Sequence, residues 1–121
     1  MEIYTQADLE AAARVVRSAA ARCEKIRPKF QDGTAQHSLL RNRLRALYTA
    51  EKLLNGGAAD IPAEELRAAL PPICSILHKT EAARRKYPED TAAYRRFTPT
   101  VRAMEIVKAL LEQGLSGKTE T

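Results

Sequence analysis

Cys74 and His78 stand four residues apart, a spacing that sets two metal ligands on one face of a helix. A zinc-type site needs a third ligand and usually a fourth. Cys23 and His37 are the remaining cysteine and histidine, and neither is tied to the first pair by spacing. The carboxylates stand among arginines rather than in a ligand-like cluster. Packing is therefore the expected role of Cys74 and surface exposure that of His78, with no metal and no cofactor. Nucleophilic chemistry has as little to build on. The chain carries neither a G-x-S-x-G elbow nor a glycine-rich phosphate loop, and Cys23 falls on an apolar stripe where a small buried residue belongs. The expectation is a chain that is not an enzyme; a site shared between subunits is the least favoured alternative.

The cations carry more information. On a 100° wheel, Arg14, Arg17, Arg22, Lys25 and Lys29 gather on one side of the first helix, with Glu10 the only acid near them. Such a face could follow a phosphate backbone, with an affinity that falls steeply as salt rises. No aromatic residues interleave with these five to stack bases, so nucleic-acid binding is the alternative reading. The leading one is a non-enzymatic interaction or regulatory module, meeting a protein partner or a second copy of itself. His37, Arg41, Asn42 and Arg45 form the polar side of one distinctive segment and are the expected contacts.

Arg43 projects among Leu39, Leu40, Leu44 and Leu47. An unpaired guanidinium in a core is too costly, so it needs a carboxylate or a path to water. Folding the first hairpin about its turn sets Glu24 level with residues 41–45. The expected ion pairs are thus Glu24 with Arg41, Arg43 or Arg45, and Glu81 with Arg102. Glu51 and Lys108, equivalent in the two halves, form a further expected pair.

These residues must be positioned by helices. Alanine and leucine dominate, tryptophan is absent, and there are four tyrosines and two phenylalanines, a composition that favours helix over strand. At 121 residues the chain has the size of one domain, and folding should remove roughly two-thirds of its unfolded surface. The net charge of +5 permits an anionic partner without requiring one. A 57-residue shift aligns Tyr4–Leu54 with Ile61–Leu111 and makes thirteen of 51 positions identical, as duplication of one helical hairpin would.

In the first unit, Thr5 and Asp8 form a capping-box pattern. Leu9, Ala13, Val16, Ala20, Cys23, Ile26 and Phe30 share one face. Asp32-Gly33 makes the turn, Thr34 caps a second helix along Leu39, Leu40, Leu44, Leu47, Ala50 and Leu54, and Gly56-Gly57 stops it. The second unit starts near Asp60-Ile61-Pro62, with a stripe of Leu66, Leu70, Ile73, Leu77 and Tyr87. Pro71-Pro72 should kink or break it and Pro99 should bend the start of the last helix. That helix is lined by Phe97, Val101, Met104, Val107 and Leu111 and closed by Gly114. Residues 4–54 and 61–111 are then repeat units of one domain spanning 1–114, and 115–121 is an expected disordered tail. The predicted fold is all-α: an antiparallel four-helix bundle of two repeated hairpins with pseudo-two-fold symmetry.

Tyr4-Thr5, Asp8-Leu9, Cys23-Glu24-Lys25 and G-T-A-Q-H-S-L-L-R-N-R-L-R-A-L at 33–47 resemble a family of small uncharacterised bacterial helical proteins. Its members read Y-T-x-x-D/E-L, then C-E-K, then G-T-x-Q-x-x-L-L-K-N-R-I-K-A-L. The second unit departs from this motif, with Pro99 and Thr100 where the first has Asn42 and Arg43. The resemblance implies a helical fold and a bacterial, intracellular setting, and no activity. Two cysteines and a polar start at Met1–Gln6 fit a reduced, cytoplasmic protein with no membrane span.

Overall fold

Three threonines decide where three of the helices begin. The computed structural model describes residues 4–119, arranged as α1 (Gln6–Ile26), α2 (Ala35–Leu54), α3 (Ala63–Arg84) and α4 (Ala92–Thr119), with single 3-10 turns at Arg27–Lys29 and Ala58–Asp60. Met1–Ile3 and Glu120–Thr121 lie outside the described residues, and with them the first residues of the chain and the last two of the expected tail. At the start of α1 the capping box is formed. The Asp8 N–H donates to Thr5 Oγ1 at 3.0 Å, and the Thr5 N–H donates to Asp8 Oδ2 at 3.1 Å. The two hairpin turns are built alike: Thr34 donates to the Gln31 carbonyl and accepts from the His37 N–H. Thr91 donates to the Pro88 carbonyl and accepts from the Tyr94 N–H.

The cap has a pH signature. The backbone N–H of Thr5, then its hydroxyl, and then the Arg102 charge hold the Asp8 carboxyl below its ordinary 3.8. Folding therefore favours the ionised form. The stabilisation is present above the unfolded value and is lost as pH falls through the folded one. Asp8→Asn is expected to flatten the loss of stability below about pH 4, read from urea midpoints across the acid range. Thr5→Ala should cost about 1 kcal/mol at neutral pH. An unchanged acid limb in Asp8→Asn would show that other groups set it.

Consecutive helices run antiparallel. Tyr48 donates to Glu24 across α1 and α2, and Thr49 donates to Glu65 across α2 and α3 at 3.2 Å. At one end of the α3–α4 pair Gly114 packs against Leu66, while at the other Arg84 donates to Thr98 at 3.5 Å. α1 also packs on α4, closing a four-helix bundle, and α2 meets α4 across it. Val16, Leu47, Leu66, Ile73, Met104, Val107 and Leu111 fill the core. Pairs 57 apart share this burial, among them Ala12/Ala69, Val16/Ile73, Leu47/Met104 and Leu54/Leu111.

Several expectations are corrected. α1 ends at Ile26, because Pro28 lacks an N–H and its ring clashes with the preceding turn; Ile26 and Phe30 lie at the surface rather than in the core. Leu39 is 70 % exposed: it sits 100° from Leu40, and only Leu40 turns inward. α3 runs unbroken through Pro71 and Pro72, and α4 through Pro99. Gly114 does not close the last helix. A Cβ there would stand 3.1 Å from Leu66 Cδ1, so packing is what favours glycine. Leu115 packs on the core, and the helix continues to Thr119 where a disordered tail was expected.

The ion pairs differ as well. Among the described residues, Glu24 pairs with none of Arg41, Arg43 and Arg45; its carboxylate accepts from the Tyr48 hydroxyl instead. Arg102 reaches Asp8 at 3.9 Å and lies 5.5 Å over the Tyr4 ring, so α1 rather than Glu81 receives it. Among the described residues Glu51 and Lys108 do not pair with each other, while the neighbouring Lys52 takes Glu65 at 3.5 Å. Half-exposed bridges of this kind contribute about 0–1 kcal/mol. They orient helices more than they hold them.

Candidate functional site

A large cavity breaks the surface, an open groove of about 1050 Å³ between α2, from Gln36 to Thr49, and the facing part of α3. Its origin is local. α1 has already ended at Ile26, so α2 projects past it, and the facing positions Ala46, Ala68, Ala69 and Ser75 are too small to fill the space. Pro71 and Pro72 form part of the α3 wall. Neither has an N–H, so the carbonyls of Arg67 and Ala68 lack their usual donors four residues on.

The groove is apolar with a charged rim. Five large hydrophobic residues are exposed among the described residues, and Ile26, Phe30, Leu39 and Tyr48, four of them, line it. Arg43, Arg45 and Lys79 supply cations. Glu64 and Glu65 lie where α3 begins, and Glu65 is already engaged by Thr49 and Lys52. The half-buried Arg43 has no ion pair among the described residues. It escapes the cost of an isolated core charge by lying along the open groove toward water.

Of the four contacts expected from sequence, Asn42 and Arg45 line the groove and His37 and Arg41 do not. His37 belongs to the α2 cap, its Nε2 3.0 Å from Asp32 Oδ1. Ile26, Phe30, Leu39 and Tyr48 escape a reading of the sequence, because apolarity alone assigns Ile26, Phe30 and Leu39 to the core. The position of Pro28 is the clue that the stripe stops early.

Arg14, Arg17, Arg22, Lys25 and Lys29 are all exposed, Lys29 on the 3-10 turn beyond α1. Arg14 and Arg17 border a shallow cleft of about 270 Å³ against Leu54 and Asn55. Burial raises the Cys23 thiol above its ordinary value, with Arg43 and Arg22 opposing it in part. The neutral thiol is thereby favoured, the reverse of nucleophile activation. The Glu24 carboxylate likewise raises the Tyr48 phenol.

Among the described residues, no group of three or more His, Cys, Asp or Glu side chains is placed to hold a metal. None of the helices there is long and apolar enough to cross a membrane. Comparison with protein-family models, curated proteins and solved structures finds no match for this chain.

Proposed function

We propose that this chain is a binding module that seats an amphipathic helix of a partner protein, acidic along its flank, in the α2–α3 groove. The observation that carries the reading is the concentration of exposed Ile26, Phe30, Leu39 and Tyr48 around one cavity. Exposed apolar surface costs free energy in water, and gathering it in a concavity is how helix-in-groove recognition works. The dimensions agree. The α2 wall from Gln36 to Thr49 rises about 20 Å, the length of a helix of about 13 residues. The rim favours an acidic partner: Arg43, Arg45 and Lys79 face Glu64 and an already engaged Glu65, so free cations outnumber free carboxylates. A second copy of this chain, itself at +5, is the poorer electrostatic match.

The test uses a fluorescein-labelled peptide of about 14 residues, long enough to span the groove, with leucines at i, i+3 and i+7 and glutamates flanking them. Binding is expected, with amide-shift changes concentrated on α2 and α3. Leu39→Glu should weaken it at least about ten-fold while leaving the urea midpoint within the scatter of surface substitutions. Lysine-flanked peptide should bind less well. Binding that ignores Leu39→Glu, or sedimentation showing a dimer that Leu39→Glu dissociates, would overturn the reading.

A further inference from the structure

The α3–α4 hairpin end carries a second surface of different chemistry. The sequence Arg84-Arg85-Lys86-Tyr87 leaves α3, and Tyr94-Arg95-Arg96-Phe97 enters α4 after the turn. The fold brings the two runs side by side. Tyr87 and Phe97 stack with ring centroids 6.1 Å apart and planes 18° from parallel, and Tyr87 remains 43 % exposed. The Arg84 guanidinium lies 4.7 Å over the Tyr94 ring. Arg85, Lys86, Arg95 and Arg96 are exposed, and among the described residues none of the four forms an ion pair. Between 84 and 97 five cations stand against Glu89 and Asp90, a net of +3 in a chain of +5.

We propose that this hairpin end binds single-stranded nucleic acid, with a base stacked on the Tyr87–Phe97 pair and phosphates against Arg85, Lys86, Arg95 and Arg96. Non-specific single-strand recognition combines cations that track the backbone with flat aromatic faces that accept any base. Both components are present here, whereas the stripe of α1 has only the cations. An acidic protein would satisfy the charges and leave the ring pair without a purpose. A basic and aromatic surface can also meet an anionic membrane, but the tip of this hairpin is Pro88-Glu89-Asp90. Those carboxylates would reach the lipid headgroups first and be repelled. A strand lying along the side of the hairpin avoids them. The surface shares no residue with the α2–α3 groove, so it stands or falls independently of the peptide-binding reading.

The experiment is fluorescence anisotropy of the full chain with fluorescein-labelled oligothymidine and oligouridine, repeated at several salt concentrations. Binding should weaken steeply with salt. Tyr87→Ala should reduce affinity about ten-fold or more, as removal of one stacked base does, and Tyr87→Phe should retain it. With no tryptophan and four tyrosines in the chain, the share of tyrosine quenching on binding that Tyr87→Phe removes reports stacking at Tyr87. Arg95→Glu with Arg96→Glu should lower both affinity and the salt slope, the slope by about one for each phosphate no longer neutralised. Circular dichroism confirms that each variant is folded. The proposal is overturned by absence of binding at low salt, or by a loss that follows Arg17→Glu and Arg22→Glu on α1 but not the hairpin variants. It is equally overturned by binding to phosphatidylserine vesicles with no binding to either oligonucleotide.

Discussion

Leu47→Ala is expected to lower the unfolding free energy by about 2–5 kcal/mol, the range for a fully enclosed leucine replaced by alanine. Leu47 has no exposed surface, and it sits among the buried side chains that fill the bundle. Its neighbours are held in helices that cannot collapse independently, so the removed volume becomes a cavity rather than being filled. Leu39→Ala is the matched control: the same chemical change on the same helix at 70 % exposure should fall within about 0.5 kcal/mol of the parent. Urea unfolding of the two variants measures both. Similar losses for the two would mean that α2 is rotated from the orientation described, and the groove would lose its Leu39 wall.

The second large effect runs the other way. Pro71→Ala combined with Pro72→Ala is expected to stabilise the chain by about 2 kcal/mol or more. A proline inside a helix costs about 3 kcal/mol relative to alanine. The proline also restricts the unfolded chain, which returns about 0.4–1 kcal/mol at a compatible site. In this structure both residues lie within α3, and alanine would restore donors toward the Arg67 and Ala68 carbonyls. A higher urea midpoint with an unchanged m-value is the expected result. The same substitution removes two rings from the groove wall, so weaker binding of the leucine-faced peptide should accompany the gain. Such an exchange of stability for a binding surface is the usual pattern at functional sites. A lower midpoint would instead show that the packing of the half-buried Pro72 ring outweighs the missing hydrogen bonds.

Helix starts are the most legible part of the chain. A threonine hydroxyl followed at the right distance by a free N–H is a local arrangement, and Thr5 and Thr34 both form the caps expected of them. The buried stripes are legible for the same reason: Val16, Leu44, Leu47, Ile73, Met104 and Leu111 recur at helical spacing and are all buried. Proline misleads in part. Its local penalty predicts a kink or break at Pro71-Pro72 and a bend at Pro99; the break does not occur, because flanking residues that bury against the core carry α3 through, and α4 is likewise helical across Pro99. The ion pairs mislead for a related reason. Charges that match across an alignment share a position in each half, but their partners depend on which neighbouring helix each face meets. Arg102 therefore meets Asp8, and Glu24 meets Tyr48. The basic runs around the second turn are visible in the chain, but periodicity assigns their aromatic neighbours to apolar stripes, which hides the stacked pair.

Composition, periodicity and capping residues determined four amphipathic helices and most of their buried positions, though not Ala12, Ala46, Thr49, Leu53, Ala69, Ala103 or Ile106, because those properties act over three or four residues along one chain. Which apolar residues stay in water was decided only by tertiary structure. A stripe is buried only where a neighbour covers it. At Ile26, Phe30 and Leu39 the cover stops, because α1 ends before α2 does and small side chains face the gap from α3.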